Sequence, residues 1–184
     1  DFIVGDHDGY AKDQNHLYRL LMALKRYEDA ARTAISIATE NEKEGNYAAA
    51  HSTVVDIIQH LEASKLKVPT NLRQMFVLLH SYKLAKVLVK KDDHEGAARL
   101  LLRVAQNSSK FPLHIGQIYV ATIMECQRAG MKMSAYEYAV ILIKSEHRQN
   151  IDVDIRRKIE AIVRRKASQT DEVPEEQTDR KSVV

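Results

Sequence analysis

Apolar residues return along this chain at intervals of three and four, segment after segment, and that period constrains the fold more than any other feature. It puts side chains on one stripe of an α-helix and leaves the other faces polar. Leu17, Leu20, Leu21 and Leu24 form such a stripe in a helix predicted over 12–26. Ala30, Ala31, Ala34 and Ala38 form one in a second, over 27–44, that ends at Gly45. A third begins near residue 46 and aligns Ala50, Val54, Ile57, Ile58 and Leu61. Pro69 biases Val68 out of helical conformation, so 65–69 is a connector. The fourth helix, 70–90, is apolar on two faces, which suits an element packed on several sides. Leu72, Met75, Phe76 and Leu79 lie on one face; Leu78, Ala85 and Val89 lie on another.

Asp92 and Asp93 can cap a fifth helix carrying Ala97, Leu101, Val104 and Ala105. After a turn over 107–112, a sixth aligns Ile115, Ile118, Tyr119, Thr122 and Cys126 and stops at Gly130. A seventh aligns Ala135, Tyr138, Ala139 and Leu142, and an eighth Ile155, Ile159, Ile162 and Val163. From residue 167 the pattern ends: Asp171, Glu172, Glu175, Glu176 and Asp179 stand among Ser, Thr, Gln and Pro174. Such a segment buries too little to offset its ordering entropy, so 167–184 is expected to be a disordered acidic and polar tail. Residues 1–11 are weakly patterned and read as a linker or the end of a preceding repeat.

A signature recurs where helices begin: a large residue, two others, then a small pair. It appears as Tyr27-x-x-Ala30-Ala31, Tyr47-x-x-Ala50-His51 and His94-x-x-Ala97-Ala98, and more weakly as Met131-x-x-Ser134-Ala135. Gly45 and Gly130 stand before two of them. A glycine that ends one helix and a small pair that admits a close neighbour are the requirements of a tetratricopeptide-like hairpin. The spacings of 20, 47 and 37 residues are irregular beside the period of about 34 of a regular array. The predicted fold is therefore all-α: antiparallel, tetratricopeptide-like hairpins over 12–166, degenerate in sequence and stacked as a short solenoid. Scarce Gly (6) and Pro (3) argue against an all-β chain, which needs turn clusters about every 8–12 residues.

Little in the chain suggests chemistry. Cys126 is the one cysteine, which excludes an internal disulfide, and its place on an apolar stripe makes it a small core residue. No two of the eight histidines stand at i, i+4, and there is no HExxH. Asp6-x-Asp8-Gly9 fails as a calcium loop, because Val4 would fall at the first ligand position. Neither a phosphate-binding glycine loop nor a nucleophile elbow occurs. No catalytic, cofactor-binding or metal-ligating residue is assigned, no cofactor is expected, and a helical enzyme built from scattered His and carboxylates is the least favoured reading. The net charge of +3 is mild, and no stretch is long and apolar enough to insert in a membrane. Arg156, Arg157, Lys158, Arg164, Arg165 and Lys166 form a basic cluster that could bind phosphates, so a nucleic-acid-binding helical repeat is the alternative. Glu160, four residues from both Arg156 and Arg164, and the lack of interleaved aromatics favour a solvated helix face.

Four blocks of the sequence resemble one family in the same order. They are RYEDAARTAISIATENEKEGNYAAAHSTV (26–54), HSYKLAKVLVKKDDHEGAARLLLRVAQNSSKFP (80–112), ECQRAGMKMSAYEYA (125–139) and DIRRKIEAIVRR (154–165). The chain is similar to a C-terminal region of the WD-repeat subunit of intraflagellar transport complex A, the WD repeat-containing protein 19 family. That resemblance implies a non-catalytic scaffold in cilium and cytoplasm, where axoneme and basal body are the expected sites. Its partners would be other complex A subunits and, indirectly, ciliary cargo, with a role in retrograde transport and receptor entry. Family members carry propellers before the solenoid and a cysteine-rich zinc-binding end after it. This chain has neither, and begins with Asp, as expected of a piece of something longer. The resemblance transfers no contact residue. On general grounds Tyr10, Tyr136 and Arg128 are candidate anchors for a protein partner.

Overall fold

The computed structural model describes residues 13–171, with side chains through residue 165. The 1–11 segment, Tyr10, the Asp6–Asp8–Gly9 motif and the tail beyond Asp171 lie outside the described residues. The elements are α1 (Gln14–Ala23), α2 (Tyr27–Lys43), α3 (Tyr47–Ala63), α4 (Thr70–Lys90), α5 (His94–Gln106), α6 (Ile115–Arg128), α7 (Lys132–Lys144) and α8 (Val153–Asp171). Short 3-10 turns, Ser108–Lys110 and Glu146–Asn150, precede α6 and α8. No strand occurs among the described residues. Each helix packs on the next in sequence, most closely α2 on α3 and α4 on α5, with α6 packed equally on α5 and α7. The chain is an all-α solenoid of stacked helical hairpins.

Local chemistry sets the boundaries. Asp13 caps α1 by accepting from the Asn15 N–H, and Asp152 caps α8 by accepting from Asp154 and Ile155. Of the two aspartates before α5, only Asp93 caps, accepting from the Gly96 N–H at 2.9 Å. Asp92 instead takes a left-handed backbone, φ 58°, at the end of α4. The same turn recurs at Lys25, Gly45, Lys65 and Gly130, all with positive φ. At each, the residue after the turn donates its N–H back to a carbonyl five positions earlier, as from Asn46 to Asn41 and from Met131 to Cys126. These bonds satisfy carbonyls that the helix end would leave open.

The signature pairs are interface residues. Ala30, Ala31, Ala50, Ala97, Ala98 and Ala135 are fully buried, and His51 nearly so. The principal core joins Ala34, Val54, Ile57, Leu61, Leu72, Leu79 and Phe111, and a smaller one joins Ile123, Ala139, Leu142 and Ile159. Each such Leu, Ile or Phe contributes about 1.5–3 kcal/mol by leaving water. Phe111 arrives from a connector where helical periodicity gives no warning. Its ring lies 4.9 Å from both Tyr47 and Tyr82, locking the start of α6 over α3 and α4. The last helix continues to Asp171, past the predicted boundary at residue 166.

Candidate interaction surface

The fold brings together polar residues far apart in sequence. His51 on α3 and His80 on α4 approach to 3.2 Å between ring nitrogens, with the rings stacked and Phe76 stacked on His80. Burial pushes His51 below the ordinary imidazole value, and the charges of Lys83 and His80 add to the effect. The Tyr82 hydroxyl and His114 Nδ1 are hydrogen-bonded at 2.8 Å. Glu125, buried on α6, meets His94 Nδ1 at 2.8 Å and accepts from Arg128 at 2.6 Å. Next to it Cys126 is fully buried, its thiol pushed up to about 11 by burial and by the Glu125 charge. Among the described residues, no three His, Cys, Asp or Glu side chains converge on a point that could hold a metal.

The proposed anchors do not assemble. Arg128 is tied to Glu125, Tyr136 is half-buried on α7, and Tyr10 lies outside the described residues. The basic face of α8 is partly neutralised within the structure. Arg157 lies 3.5 Å from Asp154, while Glu160 takes both Arg148 and Arg164. No helix among the described residues is long and apolar enough to cross a membrane.

A different surface carries the more unusual chemistry. An open groove of about 750 Å³ runs between α2, α4 and the end of α5. Ile35, Met75 and Leu78 give it apolar walls, and Arg73, Arg103 and Lys110 line it with positive charge. Arg103 is steadied by donating to the buried Ser81 hydroxyl at 3.2 Å. Glu42 also opens onto it, although only 5% of its surface is exposed. Burial pushes this carboxyl above the ordinary range, and the charge of Lys110 only partly opposes that. The sequence carried a signal for Glu42: the stripe Ala30, Ala34, Ala38, continued by four, arrives at it. Exposed Val77, Leu84 and Val87 extend the apolar surface along α4.

No family model matches the chain. It is 47% identical to mouse WD repeat-containing protein 19 over 173 residues, which is 94% of this chain and 13% of that protein. The human protein of the same name is 46% identical over 165 residues, 90% of this chain and 12% of the relative. WD repeat-containing protein dyf-2 of Caenorhabditis elegans is 34% identical over 174 residues, again 12% of its own length. The chain thus spans about an eighth of the curated relatives it matches. Identity at this level along nearly the whole chain means that the chain is homologous to a segment of WD repeat-containing protein 19 and dyf-2.

Proposed function

We propose that this chain is a scaffold segment of an intraflagellar transport complex A subunit, working in the cilium through protein contacts and without chemistry of its own. Similarity to WD repeat-containing protein 19 over 94% of the chain carries this reading. The architecture supports it, since hairpins stacked side by side commit their inner stripes to one another and leave long outer surfaces for recognition. Affinity would come from a few desolvated anchors on those surfaces. Retrograde transport and receptor entry would then depend on the segment indirectly, through assembly of the complex.

The test is co-purification from ciliated cells of the full protein in which the segment occurs, with residues 13–165 deleted. Loss of other complex A subunits from the purified material is the expected result. Full retention of the complex would sink the scaffold reading. An accompanying full-length variant, Val77→Asp with Leu84→Asp, leaves the buried stripes intact and probes the outer face of α4.

A further inference from the structure

We propose that the groove between α2, α4 and α5 receives a short peptide segment of a neighbouring subunit. That segment is acidic overall, bears apolar side chains, and carries one basic side chain that reaches Glu42. The inference rests on the scaffold reading and names the chemistry of one partner.

Three observations define the occupant. First, Arg73, Arg103 and Lys110 outnumber the single carboxylate of Glu42, so the groove attracts negative charge. The Arg73 side chain makes no hydrogen bond or ion pair within the described residues, and neither does that of Lys110 at contact distance. Second, Ile35 and Leu78 offer an apolar wall, while Asn71 and Asn107 place side-chain amides along the groove. Asn71 Oδ1 already accepts from the Leu72 N–H and Asn107 Nδ2 donates to the Arg103 carbonyl, so the Asn71 side-chain NH2 and the Asn107 side-chain oxygen are what the main chain of an extended segment can meet there. Third, Glu42 is 95% withdrawn from solvent, and its side chain makes no hydrogen bond or ion pair within the described residues, so its carboxylate is left to the water of the groove. A carboxylate so largely withdrawn from water gains from a charged donor, and an incoming ammonium or guanidinium would supply one. Apolar walls, excess positive charge and one nearly buried carboxylate without a side-chain partner in the protein together select an acidic peptide with a single cation over a neutral hydrophobic helix.

The experiment is selection of a random peptide display library on the purified full chain, followed by affinity measurements with a fluorescent copy of the most enriched peptide. Enrichment of Asp/Glu-rich sequences with apolar residues and one Lys or Arg is expected. The joint variant Arg73→Gln, Arg103→Gln, Lys110→Gln should weaken binding by about tenfold or more, the loss typical of removing interface anchors. Its side chains are exposed, and an unchanged helical circular-dichroism spectrum would show that the fold survives. Glu42→Gln should abolish the preference for the peptide's basic residue while the preference for acidic residues remains. The proposal is overturned if nothing enriches, if neutral or basic peptides enrich, or if the triple variant binds as well as the parent. It is also overturned if peptides enrich only on a chain ending at residue 171, because the chain's own acidic segment would then be the occupant. Since the purified chain is assayed without other subunits, failure here and failure of the co-purification test remain distinct results.

Discussion

Cys126 shows how far a single position can be read. Its stripe with Ile118 and Thr122 marks it as core, and it packs with Ala98 and Ala135 where α5, α6 and α7 meet. A thiol raised to about 11 and wholly covered holds almost no thiolate at neutral pH, so alkylation must wait for the helices to part. Iodoacetamide should label the native chain slowly and the urea-unfolded chain at the rate of a free cysteine. Fast native labelling would place Cys126 at the surface. Other residues were less legible. His51 belongs to a small-pair signature, but its partner His80 stands 29 positions away on another helix, and spacing along one helix cannot reveal a contact across two. Glu125 followed an apolar register that gave no hint of its ties to His94 and Arg128.

At the scale of the helix, boundaries were legible where they depend on turn chemistry and obscure where they depend on a neighbour. Gly45 and Gly130 announced their turns; Lys25, Lys65 and Asp92 adopt the same left-handed backbone without the residue that adopts it freely. A left-handed residue other than glycine costs about 1–2 kcal/mol, so Lys65→Gly should stabilise the chain by about 0.5–1 kcal/mol after the entropy of the added glycine is counted. Gly130→Ala should cost about 1 kcal/mol, because a Cβ there meets nothing within 4 Å and backbone strain acts alone. Thermal midpoints should move by about 2–4 °C per kcal/mol, upward for the first variant and downward for the second. A second prediction concerns the α3–α4 joint. His51 is held neutral by burial, so the unfolded chain protonates there first, as pH falls through its ordinary value of 6.5. Stability contributed by the neutral ring is complete above that pH and declines below it. Denaturation midpoints of the parent should therefore fall on acidification from neutral pH, and His51→Gln should flatten that decline. His114, depressed by burial and by Lys86, leaves a residual slope in the same direction.

For the molecule as a whole, the hairpin order was legible because it follows from the order of stripes, signatures and stops along the chain. The aromatic knot of Tyr47, Tyr82 and Phe111 was not, since it depends on where a connector lands between three helices. Substantial packing joins helices adjacent in sequence, so opening is local and need not involve the entire chain. Amide hydrogen exchange should be slowest in α3, α4 and the Phe111 region, and fastest in α1 and α8, whose substantial helix packing is with one neighbour each. Equal protection from end to end would indicate a single cooperative unit. That arrangement also has a mechanical side. Pulled from its two termini, the protein would meet tension as a row of joints in series, and the weakest seam would yield while the others held. Strain would be spent hairpin by hairpin, letting the molecule lengthen under load and re-form when the load is removed.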